Sequence, residues 1–281
     1  MSLKPTPQAS PTSTQAPGLQ VKEAGAPAQA QVEVEKLSIA YAGELVLQDL
    51  SFDLYPQEFI AIIGPSGVGK STLLKILASI LPLETGRILF EGEDYQKHKS
   101  ALAYMPQADL LFPWMTVYDN VRLYDQLHPA SQGHSKQEIL DLLQRFGLGG
   151  YEFALVDTLS GGMRQRAAFL RTLLCPAQVF LLDEPFAALD VITRNRMQEW
   201  LLDLRQDLQR SIVMVTHDLE EAILLADRIL VLEGRPAKIA STYRVDTPPG
   251  ERSRDWLFSQ SELKRQLYHK LAENDYFKSG E

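Results

Sequence analysis

Residues 64–72 read Gly64-Pro65-Ser66-Gly67-Val68-Gly69-Lys70-Ser71-Thr72. They follow the apolar run Phe59-Ile60-Ala61-Ile62-Ile63 and precede a helical pattern carried by Leu73, Leu74, Ile76, Leu77, Ile80 and Leu81, which Pro82 is expected to stop. A continuous apolar run ending at glycine reads as a strand buried on both faces. Strand, glycine-rich turn, lysine and helix in that order make a phosphate-binding loop. Gly67 and Gly69 let backbone N–H groups approach phosphate oxygens with no Cβ in the way. The helix adds the positive end of its dipole. Lys70 brings a mobile point charge, and Ser71 offers a hydroxyl to Mg²⁺. A turn that carries a lysine by chance is the alternative, and the flanking strand and helix disfavour it.

The rest of the chain extends this pattern. Strands are expected at Val32 to Ile39, Leu47 to Leu54, Arg87 to Phe90, Ala101 to Met105, Val179 to Leu182, Ile212 to Val215 and Ile229 to Leu232. Alternation of strands with helical stretches predicts a parallel sheet with crossover helices. Residues from about 108 to 170 depart from that rhythm, with helical patterns at Val117 to Leu127, Lys136 to Phe146 and Gly161 to Leu174, and are read as a helical insertion. Residues 1–30, rich in Pro, Ala, Gln, Thr and Ser, are expected to be a disordered tail. Asp246-Thr247-Pro248-Pro249-Gly250 reads as a linker. Beyond it Trp256, Leu263, Leu267 and Leu271 fall on one helical face, expected to dock on the protein's own surface.

Composition narrows the functional classes. The 281 residues include one cysteine, Cys175, so no internal disulfide framework exists and a reducing compartment is expected. Cys175, before Pro176, reads as buried filler. His98, His128, His134 and His269 lack metal-ligand spacing and are expected at the surface. A net charge of -8 argues against a nucleic-acid partner. No apolar run approaches the roughly eighteen residues of a spanning helix, and the N-terminus lacks a secretory pattern. The chain is therefore expected to be soluble and cytoplasmic, reaching a membrane only through another chain.

A phosphate loop needs a carboxylate at the mouth of another core strand. Val179-Phe180-Leu181-Leu182-Asp183 supplies it, with Glu184 next. Asp183 is placed to complete a Mg²⁺ shell and Glu184 to polarise an attacking water. A helix N-cap, with Pro185 following, is the structural alternative for this pair.

Leu159-Ser160-Gly161-Gly162-Met163, followed by Arg164-Gln165-Arg166, resembles the signature motif of the ATP-binding-cassette (ABC) ATPases. The order Tyr41, phosphate loop, Gln107, signature, Asp183-Glu184, Ala188-Leu189-Asp190 and His217 is similar to that family over roughly residues 32–245. The resemblance implies an α/β fold: a P-loop NTPase core with a parallel sheet, a small antiparallel β subdomain and an inserted α-helical subdomain. The boundaries expected are a tail at 1–30, an ATPase domain at 31–245 with the helical part at about 108–170, and a linker and C-terminal helix at 246–281.

The resemblance also implies roles. Tyr41 resembles the aromatic residue that stacks on adenine. Gly64 through Thr72 bind the phosphates, and Ser71, Gln107 and Asp183 attend Mg²⁺. Glu184, Gln107 and His217 serve hydrolysis, His217 as the residue that contacts the γ-phosphate. Ser160, Gly161, Gly162 and Met163 resemble residues that bind ATP held by a second copy of the chain, and Asp190 lies in the loop that communicates across that dimer. Phe112-Pro113-Trp114-Met115-Thr116-Val117, with Met163, Asp183 through Phe186 and Thr216 through Asp218, is similar to importers of nitrate, sulfonate, taurine and pyrimidine precursors. Integral membrane permease subunits, and indirectly a solute-binding protein, are then the expected partners, at the inner face of the membrane. Phe112 and Trp114 read either as anchors for a permease helix or as packing between core and insertion. A soluble ABC ATPase not coupled to transport is the alternative function.

Overall fold

The computed structural model describes residues 29–41, 43–129 and 133–272, so the expected tail lies outside the described residues except for Gln29 and Ala30. In chain order the elements begin with strands β1 (Val32–Tyr41), β2 (Glu44–Leu54) and β3 (Phe59–Ile63), then helix α1 (Lys70–Leu77). Strands β4 (Thr85–Phe90), β5 (Glu93–Asp94) and β6 (Leu102–Met105) follow, and then helices α2 (Val117–Val121), α3 (Leu123–Leu127), α4 (Lys136–Arg145) and α5 (Gly161–Leu173). The chain continues through β7 (Val179–Asp183), α6 (Val191–Leu208), β8 (Ser211–Val215), α7 (Leu219–Leu225), β9 (Arg228–Glu233) and β10 (Lys238–Arg244). Helices α8 (Arg254–Ser259) and α9 (Ser261–Ala272) close the described chain.

Two sheets form. The larger has the order β10-β9-β3-β8-β7-β6, and β9, β3, β8, β7 and β6 pair in parallel while β10 runs antiparallel on the edge. The smaller is an antiparallel β2-β1-β4-β5 sheet. Alternation along the buried strands feeds two cores. Phe59, Ala61 and Ile63 of β3 join Phe180, Leu182, Ile212 and Met214 on one face, against α5, α6 and α7 residues. Ile60 and Ile62 join Val179, Leu181, Val213 and Val215 on the other, against α1 and the smaller sheet. A strand covered on both faces has few polar positions, which is why β3 reads as an unbroken apolar run and β7 and β8 are apolar except for Asp183 and Ser211 at their ends.

Residues 108–170 carry α2 to α5, and their only described β pairing is the isolated bridge between Thr116 and Leu155. Ser135 opens α4 with a capping box, accepting from the Glu138 N–H while the Glu138 carboxylate accepts from the Ser135 N–H. Two helical expectations need correction. The stretch from Val117 to Leu127 is two short helices that meet at Arg122, whose φ and ψ of -87° and 14° leave the helical region. Helix α1 stops at Leu77 rather than running on to Leu81, because Ser79 takes a left-handed conformation with φ 57° and the chain turns before Pro82 is reached.

The C-terminal pattern is likewise two helices, joined at Gln260. They dock with Leu257 and Leu267 buried and Trp256, Leu263 and Leu271 packed alongside. Burying a leucine side chain contributes about 1.5–3 kcal/mol. His98 is half-buried rather than free at the surface, stacked on Phe90 with ring centroids 5.3 Å apart. Cys175 is half-buried against the larger core.

Candidate nucleotide site

The strand order brings four loop ends side by side. The phosphate loop leaves β3, Thr216-His217 leaves β8, Asp183-Glu184 ends β7, and Pro106-Gln107 leaves β6. All lie at the carboxyl ends of adjacent parallel strands, where open α/β sheets place ligands. Gly64 is required by close approach: a Cβ there would lie 2.5 Å from the carbonyl oxygen of Leu232. Gly69, the residue before α1, has φ 112°, and a Cβ on it would meet Leu47 at 2.6 Å.

Lys70 is buried, and its Nζ donates to the carbonyls of Gly64 at 2.8 Å and Pro65 at 2.9 Å. Burial pulls its pKa down, while Glu184 and Asp183 act in the opposite direction. Ser71 Oγ donates to Asp183 Oδ1 at 2.8 Å. The hydroxyl of Tyr104 donates to Asp183 Oδ2 at 3.2 Å. Burial raises the pKa of Asp183, the two hydroxyl donors lower it, and the nearby Glu184 raises it. Burial, with the charge of Asp183, also raises the pKa of Tyr104.

Glu184 carries φ 48°, a left-handed backbone unusual outside glycine, and its N–H continues the ladder to Val215 O at 3.0 Å. Its Oε2 receives the Gln107 Nε2–H at 3.2 Å and faces His217 Nδ1 at 3.3 Å. Non-glycine residues held in such backbone regions concentrate at functional sites.

The signature residues stand apart from this cluster. Ser160 caps α5 by accepting from the Met163 N–H at 3.3 Å, and Ser160 and Gly161 are exposed. Gly162 sits against the Ala188-Leu189 loop, and the next residue, Asp190, caps α6 by accepting from the Thr193 N–H at 3.0 Å. No hydrogen bond or ion pair joins Ser160, Gly161, Gly162 or Met163 to the Lys70–His217 cluster among the described residues. Tyr41 is 76% exposed. Ser66 and Gly67 are exposed, whereas Val68 is buried and Pro65 and Thr72 are half-buried.

Several residues of the site escaped the motif reading. Tyr104 lies on β6 opposite Leu181 and reaches the carboxylate that ends the next strand. Beyond Gln107, Asp109 accepts from Arg164 Nε at 3.1 Å, and Arg171 donates to the carbonyls of Asp109 and Leu110, each at 2.8 Å. These bonds tie the segment after Gln107 to α5. Fully buried Asn120 accepts from the Phe112 N–H and donates to the carbonyls of Phe112 and Thr116, shaping the loop that leaves Trp114 72% exposed.

Similarity to known proteins agrees with this geometry. A profile of the ABC transporter family matches residues 47–187. The formylaminopyrimidine import ATP-binding protein ThiZ of Halalkalibacterium halodurans is 39% identical over 76% of this chain and 84% of its own length. The nitrate transport protein NasD of Klebsiella oxytoca is 38% identical over 87% of this chain and 96% of its own. Among solved structures, a dimeric ATP-binding cassette in a post-hydrolysis state with ADP and phosphate superposes with a TM-score of 0.67 at 25% identity, covering 77% of this chain and 99% of that one. The cassette of a CbiONQ transporter complex from Clostridium perfringens superposes with a TM-score of 0.65 over 87% of this chain and 97% of that one. With its phosphate loop, paired acids and signature in this arrangement, the chain belongs to the ABC transporter family as an ATP-binding cassette subunit.

Proposed function

We propose that this chain binds ATP and Mg²⁺ on its phosphate loop, hydrolyses ATP, closes onto a second copy of itself, and thereby powers solute import through separate membrane permease subunits. The observation that carries the hydrolytic reading is the convergence of Gln107 and His217 on one oxygen of Glu184. Held there, the carboxylate is oriented as the general base for water, with Oε1 left to take the proton. Lys70 and the N–H groups of residues 64–72 hold the phosphates, and His217 meets the γ-phosphate. Tyr41, exposed at the end of β1, stacks on adenine.

The donor set fits Mg²⁺, a hard cation that takes oxygen ligands and is usually shared with substrate phosphates. The Ser71 hydroxyl and the Asp183 carboxylate supply two such oxygens at hydrogen-bond separation. Gln107 supplies an amide oxygen nearby. Bound Mg²⁺ would neutralise charge on the β- and γ-phosphate oxygens.

The exposed start of α5 supports the dimer. Ser160, Gly161, Gly162 and Met163 offer a helix N-terminus to the γ-phosphate of a second copy's ATP, and Asp190 lies beside them at the interface. Loss of that phosphate on hydrolysis then separates the copies. The domain reading is a tail at 1–30, a cassette at 31–245 with a helical part at about 108–170, and a C-terminal addition at 246–281.

Trp114, Leu110, Phe153 and Leu155 are exposed on two segments bridged by Thr116 and Leu155. Their apolar surface suits a short permease helix, and the Arg164 and Arg171 bonds connect it to the signature helix. The motif resemblance points to a solute of the nitrate, sulfonate, taurine or pyrimidine-precursor group, delivered by a solute-binding protein, and similarity to ThiZ and NasD supports the nitrate and pyrimidine-precursor members of that group. The chain then works peripherally on the inner face of the cell membrane and binds no nucleic acid. No helix among the described residues is long and apolar enough to cross a membrane. Affinity purification from detergent-solubilised host membranes tests the assignment. A multi-spanning permease is expected, lost on Trp114→Ala; recovery of soluble partners alone would favour an ABC ATPase not coupled to transport.

A further inference from the structure

The residues after 245 lie outside the catalytic cluster, yet their contacts lead back to it. Helix α7 starts immediately beyond His217-Asp218 and is gripped from the C-terminal segment at both ends. At its far end buried Arg252 donates through Nη1 to the carbonyls of Leu224 at 3.3 Å and Ala226 at 2.8 Å, and through Nη2 to Asp227 Oδ1 at 3.1 Å. At its near end Lys264 pairs with Glu220. Leu257 and Leu267 are buried where α8 and α9 pack on α7.

A polar chain runs between these grips. Arg254 Nη2 donates to Gln198 Oε1. Gln198 Nε2 donates to Glu221 Oε1 at 2.9 Å, and Thr216 Oγ1 donates to Glu221 Oε2 at 2.6 Å. The Asp218 N–H donates back to Thr216 Oγ1 at 3.0 Å. Gln198, Glu221 and Thr216 are all buried, so each bond is costly to leave unmade. The chain therefore fixes the residues on either side of His217 and ends on a guanidinium that belongs to the C-terminal segment.

We propose that Arg254 is a positioning residue for ATP hydrolysis. Through Gln198, Glu221 and Thr216 it holds the His217 loop in register with Glu184, so that release of residues 252–272 slows hydrolysis without weakening ATP binding. The docked segment is then a licence for turnover, separate from nucleotide capture. This rests on the reading that His217 serves the γ-phosphate.

The test compares Arg254→Met, which keeps the aliphatic stem, with Arg254→Lys in the full chain. Steady-state ATP hydrolysis, the His217 imidazole resonances and the melting temperature are measured for each. Arg254→Met is expected to lower kcat about 2- to 30-fold, to leave KM for ATP within about twofold, and to shift the His217 resonances. Arg254→Lys restores part of kcat. Lys264→Gln, altered at a solvent-exposed tie, gives a smaller loss in the same direction and guards against a folding defect. A lowered melting temperature with unchanged kcat and unmoved His217 resonances would overturn the proposal. His217→Ala, measured alongside, separates the two layers: full hydrolysis by that variant overturns the role of His217 itself, while loss there with wild-type kcat for Arg254→Met overturns only the positioning.

Discussion

Ser71 and Asp183 lie 112 positions apart and share a hydrogen bond of 2.8 Å from Oγ to Oδ1. One residue lies in the first turn of α1 and the other ends β7, so the bond ties the phosphate loop across β8 to the strand beyond it. The carboxylate is buried, and its protonated form is favoured over that in an unfolded chain.

That burial makes a pH-dependent prediction. A carboxyl whose native pKa lies above its unfolded value binds protons more tightly when folded, so its contribution to stability falls as pH rises through that window and stays lost above it. Asp183→Asn removes the buried charge while keeping an acceptor for a hydroxyl. The nucleotide-free variant should melt higher than wild type at pH 7, because it no longer buries a charged carboxylate. The gain should vanish as the pH approaches the ordinary aspartate value of about 4. A thermal melt series in the absence of nucleotide, showing equal melting at neutral pH, would contradict it. The same variant should lose hydrolysis.

Glu184→Gln keeps the backbone turn and the Gln107 and His217 neighbours but removes the carboxylate proposed as the base. Its kcat should fall by about 10²- to 10⁴-fold, while ATP binding persists and the dimer becomes long-lived. Equal hydrolysis by the two proteins in a phosphate-release assay would remove Glu184 from the mechanism.

Lys70→Ala deletes the ammonium that bridges the carbonyls of Gly64 and Pro65. Nucleotide affinity should drop by at least about tenfold, since a charged hydrogen bond to phosphate contributes about 1.5–3 kcal/mol. Calorimetric titration with ATP and Mg²⁺ measures this; an unchanged dissociation constant would count against the loop.

Ser160→Arg places a long cation at the exposed start of α5, away from the chain's own Lys70 cluster. ATP binding by the monomer should match wild type, and ATP-dependent dimerisation of the Glu184→Gln protein should disappear when the two changes are combined. Sedimentation in the presence of ATP reads both, and a normal dimer would exclude the contact in trans.

Much of this architecture is readable in the sequence because burial on two faces leaves a plain record. Strands β3, β7 and β8 have apolar residues at nearly every position, and a residue of different chemistry marks the mouth of each: Gly64 directly after β3, Glu184 directly after β7, and His217 two residues beyond β8. The helices were less legible. Arg122 and Ser79 interrupt helical patterns through backbone angles that side-chain periodicity does not encode. Tyr104, Gln198 and Glu221 were invisible for a different reason. Each is an ordinary residue within its own element, and its role exists only through partners on other elements: Asp183 for Tyr104, and Arg254 and Thr216 for the Gln198-Glu221 pair.

The position of β3 in the larger sheet bears on how the protein is made. Its neighbours are β8 and β9, with Phe59 opposite Ile212 and Ile60 opposite Arg228. A chain emerging from the ribosome therefore exposes the loop-bearing strand long before either flanking strand exists. Contacts so distant in sequence form slowly, and apolar strands awaiting them are prone to aggregate. The sheet around the phosphate loop is therefore complete only once β8 and β9, residues 211–233, have been synthesised.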